Sequence, residues 1–192
     1  LYDKKIILLA NNTQEEVSSI EDDVEIVKLW PVKSTYPNYG AILPFNRIVS
    51  YNGNFYSRKM GVLGEYEEDK MIKMLLAEVT EWEKVDQDTP VIPAIHYIVT
   101  TAQLNPGRDN KYILRMPDTE IDKAVNIANK INGIVFLDVQ VGLSNLKDEL
   151  VHLEKYLKMS QIHLGIDPEF YMRDGKKPGT VIGTVDAKEI NE

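Results

Sequence analysis

Apolar residues along this chain gather in short runs, and the polar stretches between the later runs are long enough for a helix. Lys4–Ala10 (K-K-I-I-L-L-A) reads as a buried strand. Thr13-Gln-Glu-Glu16 has capping-box spacing for a brief helix over Glu15–Ile20. Val24–Trp30 then alternates Val24, Ile26, Lys28 and Trp30 as a second strand. The pattern predicts a small β-α-β preface. Pro31–Pro44 is rich in Pro, Tyr and Gly without periodicity, as a linker or surface loop would be. Its Tyr36 and Tyr39 either pack that loop or form an aromatic wall beside a planar ligand such as a carbohydrate. The predicted division is residues 1–44 as preface and loop, and 45–192 as the main domain.

From Arg47 the runs become regular. Arg47–Tyr51 reads as a strand meeting a turn at Asn52-Gly53-Asn54, a dipeptide that more often marks a hairpin than a β-to-α turn. Met60–Glu65 reads as the second strand. Met71, Leu75, Val79 and Trp82 recur at helical intervals over Asp69–Val85. Val91–Val99 is apolar enough to be covered on both faces, with Pro93 suggesting an early, unpaired or bulged position. After a polar loop, Gln103–Pro117, Asp118 caps a helix through Ile131. Gly133–Val139 is the next strand. A third helix opens at Leu143-Ser144 and carries the stripe Leu146, Leu150, Leu153, Leu157. Ile162–Asp167 is the last of these strands, followed by the loop Arg173–Gly183. Asp186-Ala-Lys-Glu189 has capping-box spacing again.

Strands recurring with helix-length gaps predict parallel β/α units. The expected fold is therefore α/β, (β/α) TIM-barrel-like. From Arg47 onward there are at most five strands and four helices, fewer than a closed barrel needs. The expectation is a partial barrel, a fragment of a longer chain truncated at its C-terminus. A doubly wound open sheet is the alternative, although no G-x-G-x-x-G phosphate loop supports it.

Composition narrows function by exclusion. The net charge of −8 disfavours nucleic acid, which requires a basic surface. With no cysteine, disulfides, thiolate catalysis and Cys-ligated zinc are excluded. No apolar run approaches the ~20 residues of a membrane span. The chain opens on Leu rather than Met, so it reads as processed or trimmed, compatible with a lost signal peptide or lipoprotein anchor. No H-E-x-x-H, G-x-S-x-G or P-loop is present.

The candidate chemistry lies at the strand ends, where β/α folds collect it. Asp167 and Glu169 follow the run I-H-L-G-I, and Asp138 and Gln140 occupy matching positions one unit earlier. Two residues apart in extended chain, Asp167 and Glu169 should point the same way, roughly 6.5 Å apart. Aligning the strand ends places Asp138 beside Asp167 and Gln140 beside Glu169, with Glu65 and His96 on the preceding strands. Two chemistries use such an acidic mouth. Glycoside hydrolysis needs one protonated acid, here Glu169, and one carboxylate, Asp138 or Asp167. Metal-assisted hydrolysis would hold a divalent cation on Glu65, His96, Asp138 and Asp167. Tyr51 and Tyr97, with Glu65, His96 and Gln140, are candidate ligand contacts. No organic cofactor is indicated, and the expected partner is a small-molecule or carbohydrate ligand. Any of these acids could instead cap a helix or pair with Lys or Arg, and His96 alone reads as a satisfied core or rim histidine rather than a ligand. His152 and His163 suggest no role, and Met71, Met74 and Trp82 read as core.

The runs L-W-P-V-K-S-T-Y-P-N-Y-G-A-I-L-P-F-N-R-I-V, G-V-L-G-E-Y, P-A-I-H-Y-I, F-L-D-V-Q-V-G and L-G-I-D-P-E-F resemble a group of uncharacterised bacterial lipoproteins and hypothetical proteins with a TIM-barrel-like fold. The likeness spans about Leu29 to Asn191. In that group the sequence continues through further β/α units. The resemblance implies an exported, cell-envelope-associated barrel and carries no established activity.

Overall fold

The computed structural model describes residues 40–191. The strands expected over Lys4–Ala10 and Val24–Trp30, the helix over Glu15–Ile20, and Tyr36 and Tyr39 lie outside the described residues. The six strands of the main unit are β1 (Arg47–Asn54), β2 (Ser57–Gly61), β3 (Val91–Ala102), β4 (Ile113–Arg115), β5 (Ile134–Val139) and β6 (Ile162–Ile166). The helices are a single turn α1 (Val62–Glu65), then α2 (Glu68–Val85), α3 (Asp118–Lys130), α4 (Leu146–Leu157) and a short α5 (Ala187–Asn191). A 3₁₀ turn, Pro168–Phe170, follows β6.

The fold is α/β. Strands β1, β3, β5 and β6 lie side by side in sequence order and run parallel. The antiparallel β2 extends the β1 edge, and β4 pairs antiparallel with the end of β3. The sheet is open. Among the described residues, helices cover one face. Val49, Tyr51, Ile95, Tyr97, Val99, Val135, Leu137, Val139, Ile162, Leu164 and Ile166 share one apolar cluster with the inner residues of α2, α3 and α4. A doubly wound sheet would carry helices on both faces. Among the described residues, neither that arrangement nor the strand-order reversal it requires is seen.

The helices form where apolar periodicity and end groups agree. On α4, Asn145 is the N-cap, its side chain accepting from the Asp148 N–H at 2.8 Å. Leu146 and Leu153 are buried, and Leu150 and Leu157 pack beside them, so the expected stripe is the inner face. The α3 helix begins at Asp118 itself, with Pro117 in the capping position and the Asp118 carboxylate on Lys155. Within α2, Met71, Leu75 and Val79 are buried, whereas Trp82 is 41% exposed. Its ring lies beneath the Arg47 guanidinium, 5.7 Å away, at the rim rather than in the core. Pro93 sits one residue before β3 begins pairing with β5, the early position expected of it.

The first unit departs from expectation. Asn52-Gly53 lies inside β1, and the chain turns at Phe55-Tyr56 into β2 as a hairpin. What read as a second parallel strand, Met60–Glu65, is the end of β2 followed by a helical turn. The cross-strand pair Gly53 and Gly61 allows this, both having positive φ. A β-carbon on Gly61 would stand 2.3 Å from the Asn52 carbonyl oxygen. Among the described residues, no helix is long and apolar enough to cross a membrane.

Candidate functional site

On the sheet face away from the helices, side chains alternate with the apolar set and form rows across the strands. One row is Asn52, His96, Phe136 and His163; the next is Ile98, Asp138 and Gly165. The rings of His96 and Phe136 are 5.7 Å apart and those of Phe136 and His163 5.4 Å apart, so three neighbouring strands carry a continuous aromatic line.

Asp138 stands diagonally beyond His96. Its Oδ2 lies 3.4 Å from His96 Nε2, and its carboxyl group is almost wholly buried. That separation brings the imidazole and the carboxyl group together without a well-directed hydrogen bond, and His96 Nε2 has no hydrogen-bond partner. The other carboxyl oxygen occupies the space above Gly165: a β-carbon there would meet Asp138 Oδ1 at 2.9 Å. The buried His163 Nε2 also lacks a partner, and burial lowers the His163 pKa.

Register corrects one expectation about the acids. Asp138 pairs with Gly165, and Val139 with Ile166. The Asp167 N–H donates to the Val139 carbonyl at 3.2 Å, so Asp167 comes level with Gln140, two residues out of step with an alignment of strand ends. Gln140 Nε2 donates to Asp167 Oδ2 at 3.0 Å. Its Oε1 accepts from the Ala102 N–H at 2.9 Å. Burial raises the Asp167 pKa above the ordinary carboxylate value; the Gln140 bond opposes this, and the charges of Asp138 and Glu169 add to it.

Glu169 does not extend the strand. The chain enters a 3₁₀ turn at Pro168, so the two-residue spacing no longer fixes parallel side chains. Glu169 is exposed, its carbonyl accepts the Gly183 N–H, and it borders a small pocket of ≈ 270 Å³ with Phe170 and Val181. Glu65 ends α1 next to the β1–β2 hairpin, exposed, its carbonyl accepting from Arg58 at 3.3 Å, and its carboxyl group raises the pKa of the neighbouring Tyr66. Tyr51 and Tyr97 fall on the helix-covered side. Tyr97 is fully buried and stacks on Phe55 at 4.8 Å.

The structure thus brings together His96, Asp138, Gln140 and Asp167. It places Glu169 on the adjoining turn and sets Glu65, Tyr51 and Tyr97 apart. Among the described residues, no three acidic or imidazole side chains converge as a metal-binding group. His163 and Gly165 belong to the site's surroundings and were given no role from the sequence. The signal was present: in I-H-L-G-I-D, His163, Gly165 and Asp167 alternate with the apolar face. Comparison of the chain with family models, curated proteins and solved structures gave no match.

Proposed function

We propose that this protein is a hydrolase acting on a carbohydrate or cell-envelope polymer through a carboxyl pair, Asp138 and Asp167, at the strand ends of a (β/α) barrel wall. The observation that carries the reading is the unequal environment of two acids on neighbouring strands. Asp138 faces an imidazole, while Asp167 is half-buried with its pKa raised. Such a pair separates roles: the acid that keeps its proton protonates a leaving oxygen, and the ionised one serves as nucleophile or base. Asp167 takes the first role and Asp138 the second, with Glu169 as a ligand contact on the exposed turn. Parallel strands in sequence order under a one-sided helix layer support the barrel. An envelope location rests on the resemblance alone.

The test is release of reducing ends by the full chain from a panel of soluble polysaccharides and peptidoglycan. Asp167→Asn and Asp138→Asn are each expected to reduce turnover by about 100-fold or more. Turnover that survives both substitutions, or no turnover on any polymer, overturns the reading. Polymer binding without turnover would favour a non-catalytic envelope binding protein. The His96–Asp138 pair supports a second reading, metal-assisted hydrolysis. It predicts turnover abolished by chelation and restored by a divalent cation.

A further inference from the structure

We propose that Gln140 is a positioning residue that fixes the orientation of the Asp167 carboxyl group and directs its proton to one oxygen. The inference rests on the reading of Asp138 and Asp167 as the working pair, and it is carried by the geometry of one amide. Gln140 is buried just beyond β5, and its backbone N–H continues the ladder by donating to the Thr100 carbonyl at 2.9 Å. Its side chain bridges the ends of the two flanking strands, taking the Ala102 N–H on Oε1 and giving an Nε2 hydrogen to Asp167 Oδ2.

Only one orientation of the amide satisfies both partners. A backbone N–H can only donate, so it requires the amide oxygen. Reversal would turn the amide NH₂ against that N–H and its oxygen against a carboxyl oxygen. The Ala102 backbone therefore decides which end of Gln140 meets Asp167. Because Oδ2 is already accepting a hydrogen bond, a proton on the neutral acid goes to Oδ1, the oxygen Gln140 does not touch. The other groups acting on Asp167 are Asp138 from β5 and Glu169 from the following turn, both negative, and the Glu169 backbone N–H. His96 of β3 sits against Asp138. Gln140 is thus the side chain that ties Asp167 to the sheet.

Replacement by Glu keeps an oxygen for Ala102 but sets a carboxylate against Asp167. Replacement by Leu removes both polar contacts at similar volume. The experiment is a carboxyl-carbon NMR titration of Asp167 in the full chain, with amide hydrogen exchange at Ala102 read in parallel. Gln140→Leu is expected to raise the Asp167 midpoint, and Gln140→Glu to raise it further, by about one unit or more. Ala102 exchange should quicken in Gln140→Leu but not in Gln140→Glu. A purely structural role would lower stability and leave the Asp167 midpoint where it was, which would overturn the proposal. If Gln140→Glu does not fold, Gln140→Asn decides, being one carbon too short to span both partners. An Asp167 midpoint that moves in a protein without polymer turnover supports the positioning role while sinking the hydrolase reading. Turnover with an unmoved midpoint does the reverse.

Discussion

At position 165 a side chain would compete with Asp138 for the same space. A β-carbon there would approach Asp138 Oδ1 to 2.9 Å and its Cα to 3.2 Å, and the second contact is backbone that cannot swing away. Gly165→Ala is therefore expected to destabilise the fold by about 1–3 kcal/mol. Part of that cost should vanish when Asp138 is shortened to Ala, because the oxygen contact is then gone. Urea denaturation of the two single variants and the double variant measures the coupling. Strict additivity would mean that Asp138 does not lie over Gly165. His163 yields a pH prediction. Its folded pKa is depressed by burial, so between about pH 6.5 and that lower value the unfolded chain binds more protons than the native one. Stability contributed by the neutral ring is complete above the unfolded pKa and is lost as pH falls. His163→Gln should flatten the pH dependence of stability over that interval, as read from urea midpoints at successive pH values.

At the scale of elements, the sequence was most legible where apolar runs were unambiguous. Strands β3, β5 and β6 and helices α2, α3 and α4 follow from periodicity and end groups. The β1–β2 hairpin was harder, since Asn52-Gly53 looks like its turn yet lies within the strand, where Gly53 takes positive φ against Gly61. Relative shift was harder still. The apolar alternation in Val135, Leu137, Val139 and Ile162, Leu164, Ile166 fixes which residues share a face, but a slide of two residues preserves that pattern. Asp138 was thus legible as facing the same side as Asp167, but its true neighbour, Gly165, was not. The Gln140 bridge follows from that register and was equally hidden.

One contact between elements binds the β4 strand to α4. Glu149 is 1% exposed and accepts from Arg115 Nε at 2.7 Å, Arg115 Nη2 at 2.8 Å and Ser144 Oγ at 2.6 Å. Arg115→Met would leave that carboxylate buried with a hydroxyl alone. It should cost on the order of 3 kcal/mol, and Arg115→Met with Glu149→Gln should recover much of the loss. Thermal or urea unfolding of the three variants checks this. A single-variant cost below about 1 kcal/mol would mean that water already reaches Glu149.

For the molecule as a whole, the proposed role of Asp167 would set function and stability against each other. Its folded pKa is raised, so the native state holds this proton more tightly than the unfolded chain does. The stabilisation from that retained proton is fully present below the unfolded value of about 3.9 and disappears as pH rises through the folded value. Once pH exceeds that folded value, the chain carries an ionised, half-buried carboxylate facing the charges of Asp138 and Glu169. Asp167→Asn removes the charge and can keep the bond from Gln140 on its amide oxygen. It should raise the midpoint of thermal unfolding at a pH above the folded value and leave it nearly unchanged at pH 3. The same substitution is expected to abolish most polymer turnover, since an amide cannot give up the proton a leaving oxygen needs. A gain in stability paired with a loss of turnover is what a site strained for chemistry produces. A variant less stable than the parent above the folded value would instead make Asp167 a structural acid, its carboxylate anchoring the end of β6.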